Sequence, residues 1–174
     1  MIYGLYDDAI KEIEEGIRIS PKKQHIYYFL SNAYTQKGDV EKAFNALRIA
    51  FEVEPANGTA LKQYTAYAIR IGRDDIAEKL LIPLYGTTLV PEQGFANAYQ
   101  IRGRFDKVAS ILEKILEENP NDAQSHLSLA AAYVEMGKRQ AAIPLIEKTI
   151  KLSPDFKAQG EELLDRIRRG ESFR

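Results

Sequence analysis

Glycine recurs along this chain at a nearly fixed interval, and each recurrence is followed by a charged residue. The four glycines are Gly38, Gly72, Gly103 and Gly137, which lie 34, 31 and 34 residues apart in a chain of 174 residues. A period of about 34 residues is typical of helix–turn–helix units that stack into a solenoid. In such a fold each unit packs mainly on its neighbours, so the period constrains the architecture before any site is considered.

Other residue types keep the same register. It is shared by Pro21 and Pro55, by Pro120 and Pro154, and by Tyr34, Tyr99 and Tyr133, each four residues before a repeat glycine. We therefore predict a half repeat (second helix only) at 1–23, full repeats at 24–57, 58–88, 89–122 and 123–156, and a capping helix with a tail at 157–174. The repeat at 58–88 is three residues shorter than the others.

Each repeat contains a common pattern of three residues. A large apolar residue is followed directly by a small residue, and an aromatic residue comes three positions after the small one. These are Leu30-Ser31-Tyr34, Tyr64-Thr65-Ala68 (where alanine replaces the aromatic residue), Phe95-Ala96-Tyr99 and Leu129-Ala130-Tyr133, and the second helix has Ala43, Ala77, Val108 and Ala142. This pattern resembles the tetratricopeptide repeat family. The resemblance implies an all-α solenoid, a right-handed superhelix of antiparallel helix pairs with about ten helices.

The pattern also has a physical basis that is independent of the family. Alanine at positions 43, 77 and 142 allows two helix backbones to approach closely, because its side chain is small. Glycine directly after a helix takes the left-handed C-cap conformation without a steric penalty, so each hairpin can turn sharply.

The composition excludes several classes of function. The chain has 24 Lys and Arg against 25 Asp and Glu, which does not favour a nucleic-acid partner or an anionic membrane surface. It has no cysteine, so disulfides and thiol catalysis are excluded, while the compartment stays open. No apolar run reaches the roughly 18 residues of a membrane span, so we expect no direct membrane insertion. The expected location is cytoplasmic by default, or membrane-tethered if the chain belongs to a larger membrane protein.

The sequence has no residue pattern that is typical of a catalytic, cofactor or metal site. His25 and His126 lie in different repeats without a second ligand at helical spacing, so a metal site is not predicted. Doubled acids such as Asp74-Asp75 point about 100° apart on a helix and are interpreted as solvated faces. Asn57-Gly58-Thr59 matches a glycosylation acceptor, but it falls where the repeat needs a turn, and the turn is the preferred interpretation. We therefore predict neither an enzyme nor a cofactor.

The family resemblance implies a concave wall, formed by the first helix of each repeat, that binds a peptide or protein segment. On this chain the family's binding positions include the polar residues that we predict as contacts: Tyr28, Asn32, Gln36, Lys62, Arg70, Gln93, Asn97 and Gln100. The same positions also include the apolar residues Ile69, Val90, Ile101, Ala131 and Val134. Amide side chains both donate and accept hydrogen bonds, which suits a peptide backbone. A merely solvated inner surface is the alternative.

One subfamily can be tested on the residues themselves. Carboxylate-clamp domains, which grip acidic chaperone tails, need cationic and asparagine side chains at set positions. Here Asn32 alone matches, whereas Tyr28, Gln63, Val90 and Gly94 do not. Binding of a terminal carboxylate by that mechanism is therefore not predicted.

The beginning of the chain leads to a further expectation. Gly4 lies 34 residues before Gly38, so the chain begins on the second helix of a repeat, and we expect it to start within a longer protein. An apolar stripe of Leu5, Ile10, Ile13 and Ile17 would then be exposed. We expect the missing upstream helix, a purification contact or another chain to cover it, the last by self-association through this open end.

Two functions stay open at this point. The first is a non-catalytic scaffold for protein–protein interaction. The second is a soluble accessory or regulatory tail of a larger bacterial membrane enzyme, with the chemistry upstream, since the segments from Asn119 to Asp122 and from Pro154 to Lys157 resemble the ends of O-antigen ligase-like proteins. The identity of the partner and the pathway does not follow from the sequence.

Overall fold

The computed structural model describes residues 2–171 of the chain. Ten α-helices and one short 3-10 turn, Pro154–Phe156, make up the described regular structure, without a strand. The helices are α1 Ile2–Ile19, α2 Gln24–Lys37, α3 Val40–Val53, α4 Gly58–Arg70, α5 Asp74–Tyr85, α6 Gln93–Ile101, α7 Phe105–Glu118, α8 Ala123–Glu135, α9 Arg139–Leu152 and α10 Lys157–Arg168. The prediction of an all-helical repeat fold is confirmed.

The repeat glycines end the first helix of each hairpin as predicted. Their φ angles are positive, at 88° for Gly38, 87° for Gly72, 67° for Gly103 and 76° for Gly137. After α2, the Gly38 amide donates to the Thr35 carbonyl at 3.1 Å, and the next amide donates to the Tyr34 carbonyl at 2.8 Å. These bonds satisfy carbonyls that a helix end would otherwise leave unpaired.

Asn57 shows why the second repeat begins where it does. Its side-chain oxygen accepts from the amides of Thr59 at 2.9 Å and Ala60 at 3.2 Å, so it is the N-cap of α4. Its side-chain nitrogen donates to Gln24 at 2.7 Å, and Gln24 donates in turn to the Ala50 carbonyl at 2.7 Å. Because both ends of the Asn57 amide are used structurally, its interpretation as a turn residue fits the geometry better than a glycan acceptor.

The chain folds as two compact units, one ending at Gly86 and one starting at Thr87. Unit 1 contains α1 to α5. Phe44 and Phe51 of α3 both pack against Tyr64 of α4. The centroid of the Tyr64 ring lies 5.1 Å from that of Phe44 and 5.7 Å from that of Phe51. Ala43 and Ala77 are fully buried, as close helix packing requires.

Unit 2 contains α6 to α10. Ala142 and Ile146 of α9 are fully buried, and α10 closes this core with Leu164 and Ile167. Gly160 of α10 lies so close to α9 that a Cβ atom placed on it would come within 2.5 Å of Ile150 Cγ1. The glycine therefore sets the distance between the last two helices.

Both units use a hydrogen bond between a tyrosine and a glutamate 20 residues earlier. The Tyr34 hydroxyl donates to Glu14 at 2.7 Å, and the Tyr133 hydroxyl donates to Glu113 at 2.6 Å. Burial and the bond to Glu14 raise the pKa of Tyr34 to about 12, while the bond to Glu113 and burial raise the pKa of Tyr133 to about 12. Each bond joins the second helix of one repeat to the first helix of the next.

The predicted apolar stripe of α1 is not an exposed face, and this expectation was wrong. Ile10 is only 7% exposed, and Ile13 and Ile17 pack against the core of unit 1. Of the four residues Leu5 remains exposed, at 70%. The stripe faces the apolar residues of unit 1, and it therefore completes the core of that unit.

Candidate interaction surfaces

Unit 1 carries five of the predicted contact residues on the first helices of its two repeats. Asn32 and Gln36 are exposed on α2 and, being four residues apart, lie on one side of the helix. Tyr28 is half-buried one turn earlier. On α4, Arg70 is exposed and Lys62 is half-buried. The α2 residues form one polar row, and the α4 residues lie two turns apart on the neighbouring first helix.

A pair of hydroxyl groups connects α2 to α4. The Thr35 and Tyr67 hydroxyl oxygens are 3.1 Å apart, and Thr35 also donates to the Ser31 carbonyl at 2.8 Å. Since the Thr35 proton is used in that bond, Tyr67 is the donor between the two hydroxyls. The Arg70 guanidinium lies 5.4 Å from the centre of the Tyr67 ring. This contact orients Arg70 on a rigid aromatic support.

Tyr28 differs from the other predicted contacts because its hydroxyl is buried. Among the described residues this oxygen has no hydrogen-bond partner. Burial, with a smaller contribution from the negative charge of Glu54, raises the pKa of the Tyr28 hydroxyl. The ring packs against the core of unit 1. Tyr28 therefore offers a ring edge to a ligand more readily than its hydroxyl.

Unit 2 carries the other three predicted contacts on α6, and all three are exposed. The Gln93 amide nitrogen donates to the Asn97 side-chain oxygen at 2.9 Å. The carbonyl oxygen of Gln93 and the amide nitrogen of Asn97 are then the remaining hydrogen-bonding groups of the pair. One acceptor and one donor side by side match the donor and acceptor of a peptide unit.

Gln100 lies at the edge of a cleft between α6, α7 and α8. The cleft has a volume of about 430 Å³. Its lining residues are Gln100, Ile101, Phe105, Val108, Ser128, Ala131, Ala132 and Glu135. Ile101 is 59% exposed and forms the apolar part of the rim. Small side chains at Ser128 and Ala131 leave room for the cleft.

The prediction missed this apolar part, although a signal for it was present. Ile101 and Ala131 occupy family binding positions, yet only polar side chains were chosen as contacts. Conversely, Ile69, Val90 and Val134 occupy such positions but are 0%, 3% and 4% exposed. Ile69 and Val134 turn into the core, and Val90 precedes the first turn of α6. Those three positions cannot contact a ligand directly.

The two histidines have structural neighbours. His126 shares a hydrogen bond with the Pro120 carbonyl at 2.9 Å, and Tyr27, 99 residues earlier in the same repeat position, donates to the Pro21 carbonyl at 2.8 Å. The ring of His25 lies edge-on to the exposed ring of Phe29, with centroids 6.2 Å apart. Over residues 2–171, three or more side chains suited to a metal ion do not cluster anywhere.

Among the helices within residues 2–171, none is both long and apolar enough to span a membrane.

Two family models of the tetratricopeptide repeat match this chain, one over residues 24–57 and one over residues 100–167. Among curated proteins, it is similar to the TPR repeat-containing protein YpiA of Bacillus subtilis, with 23% identity over 146 residues. It is also similar to tetratricopeptide repeat protein 37 of Xenopus laevis, with 24% identity over 156 residues. The chain therefore contains tetratricopeptide repeats.

These relatives are longer than the chain. The matches cover 80% and 84% of this chain but only 34% of the Bacillus protein and 10% of the Xenopus protein. Among solved structures, the fold is similar to that of PilW, described as a type IV pilus biogenesis factor, with a TM-score of 0.69 and 18% identity. That likeness covers 95% of this chain and 78% of PilW. It shows a shared solenoid fold.

Proposed function

We propose that this chain is a non-catalytic scaffold that binds a protein or peptide segment on the first helices of its repeats. The observation that carries the proposal is the cleft of about 430 Å³ in unit 2, where an exposed Ile101 lies beside the predicted contact Gln100. An apolar pocket bordered by hydrogen-bonding groups suits one apolar side chain of a segment whose backbone is bonded at the rim.

The Gln93–Asn97 pair extends this surface along α6. Residues 93, 97, 100 and 101 occupy one side of the helix over about two turns, with a length of roughly 12 Å at 1.5 Å per residue. That length accommodates about four residues of an extended segment. The amide pair would hydrogen-bond the backbone of the segment and the cleft would bind one of its side chains, so the two features would bind different parts of one ligand.

The surface of unit 1 is more polar and carries cations. Asn32 and Gln36 supply amides, and Arg70 is held against the Tyr67 ring at 5.4 Å. A segment with a carboxylate would therefore be favoured on unit 1, and one with an apolar side chain on unit 2. A ligand that must be ordered on binding gives a modest affinity, roughly micromolar.

A test of this proposal uses partner capture from cells of the source organism, with the parent chain and matched variants as bait. Asn97→Ala and Ile101→Ala remove the amide pair and the apolar rim, whereas Glu117→Ala changes an exposed residue on the second helix of the same repeat. We expect the same partner with the parent and Glu117→Ala, and its loss with the other two variants. Asn32→Ala tests unit 1 in the same way.

Capture that is equal for all variants would place the binding surface elsewhere. The second function predicted from the sequence, an accessory tail of a larger membrane enzyme, stays a prediction. The sequence of the complete gene tests it, since that function requires membrane-spanning segments and the enzymatic domain in the same protein.

A further inference from the structure

The cleft of unit 2 has a filled counterpart in unit 1. Tyr67 of α4 and Ala132 of α8 occupy the same repeat position, because each lies five residues before its repeat glycine, Gly72 or Gly137. Ala132 lines the cleft of about 430 Å³, whereas Tyr67 is 9% exposed and its ring packs in the core of unit 1. The cleft therefore lies where unit 1 holds the ring of its own tyrosine.

The neighbours of the Tyr67 ring correspond to residues that line the cleft. The Tyr67 hydroxyl lies 3.1 Å from that of Thr35, the Arg70 guanidinium lies 5.4 Å from the ring centre, and Ala43 belongs to the same core cluster. In the same order, the corresponding lining residues of the cleft are Gln100, Glu135 and Val108. The cleft is thus bounded by the equivalents of residues that surround a tyrosine side chain.

We propose, on the basis of the scaffold function above, that the cleft of unit 2 binds a tyrosine side chain of the partner segment. The bound ring would take the place that Tyr67 fills in unit 1. Its hydroxyl would donate to the side-chain oxygen of Gln100, as the Tyr67 hydroxyl donates to Thr35.

The walls of the cleft favour an aromatic side chain over an aliphatic one. Ile101 and Phe105 line the cleft where the corresponding residues of unit 1 are Gln36 and Val40. These walls are therefore more apolar than their counterparts, and Phe105 supplies a ring. Two aromatic rings attract each other beyond the gain from burial alone, so a ring bound beside Phe105 is favoured.

The edge of the cleft favours tyrosine over phenylalanine. A tyrosine hydroxyl that becomes buried needs a hydrogen-bond partner, and the exposed amide of Gln100 both donates and accepts. The net gain from one such hydrogen bond corresponds to a preference of about two- to tenfold. The ring thus provides most of the affinity, and the hydroxyl provides the selectivity.

A first test needs no ligand, because it supplies the tyrosine from α8 itself. In the Ala132→Tyr chain the new ring should fill the cleft, so its melting temperature should stay at or above that of the parent. Ala130→Tyr, on the same helix, is the matched control: Ala130 is 0% exposed, so a ring there should overpack the core and lower the melting temperature. Equal losses of stability in the two variants would overturn the proposal, because the cleft would then have no room for the ring.

A second test titrates N-acetyl-tyrosinamide into the isotope-labelled chain and follows amide shifts at Gln100, Ile101 and Ala132. We expect saturable shifts with a Kd on the order of 1 mM, weaker binding of the phenylalanine analogue by about two- to tenfold, and the weakest binding for the leucine analogue. The Ala132→Tyr chain, whose cleft is filled, should show none of these shifts. A leucine analogue that binds as tightly as the tyrosine analogue, or no saturable shift at the cleft, would overturn the proposal.

Partner capture separates this proposal from the scaffold function on which it rests. If capture requires Ile101, but the captured segment binds equally well after its tyrosines are exchanged for leucine, the scaffold function stands and the cleft does not select tyrosine. If all variants capture equally, the scaffold function fails at this surface. The melting temperatures and the titration then decide by themselves whether the cleft binds tyrosine.

Discussion

Gly160 provides a sharp test of how the last two helices pack. A Cβ atom added there would lie 2.5 Å from Ile150 Cγ1, 2.7 Å from Ile150 Cδ1 and 3.1 Å from Phe156 Cε1. The position of Ile150 Cγ1 is set by χ1, and a β-branched side chain in a helix has one strongly preferred χ1 rotamer, so a change of rotamer relieves the contact only at a cost. Overpacking of this kind costs about 1–3 kcal/mol.

The helix propensity of alanine acts in the opposite direction and is worth at most about 1 kcal/mol. We therefore expect Gly160→Ala to destabilise the chain by about 1–2 kcal/mol. At about 2–4 °C per kcal/mol for a chain of this size, its melting temperature should fall by roughly 2–8 °C. Thermal unfolding followed by circular dichroism measures this change.

Gly16 in α1 is the matched control. A Cβ atom there would have no neighbour within 4 Å, so only the propensity and the unfolded-state entropy change. Gly16→Ala should stabilise the chain by about 0.5–1 kcal/mol. Opposite signs for the two variants support the packing described for α9 and α10. A Gly160→Ala chain that melts at or above the parent's temperature would refute it.

Two further predictions concern the packing of the repeats. Substitution of the fully buried Ala77 by leucine should lower the free energy of unfolding by about 1–3 kcal/mol, as should the same change at Ala43 or Ala142. Unchanged melting temperatures for all three variants would show that the helix crossings are wrongly assigned. Tyr34 and Tyr133 ordinarily titrate near pH 10.0, but their pKa is raised to about 12 in the folded chain. Because the folded state holds these protons more tightly, their contribution to stability is complete below pH 10 and is lost as the pH rises toward 12, which denaturant titrations at several pH values would detect.

The sequence predicted the fold more completely than the surfaces, and particular residues show why. Gly38 and Gly137 are tied to a left-handed conformation that few other residues adopt, so their spacing identified the hairpins. The α1 stripe was misplaced because periodicity tells which side of a helix is apolar but not which neighbour covers it. Ile101 and Phe29 are apolar in sequence and exposed in the structure, and only the packing of adjacent helices distinguishes them from core residues.

The central claim is that the first helices bind a protein segment, and amide chemical-shift mapping tests it most directly. A captured partner segment would be titrated into the isotope-labelled chain. The account predicts shifts at Asn97, Gln100 and Ile101 on α6, with little change at exposed positions of the second helices such as Glu117 and Lys151. Shifts confined to the second helices, with α6 unaffected, would contradict it.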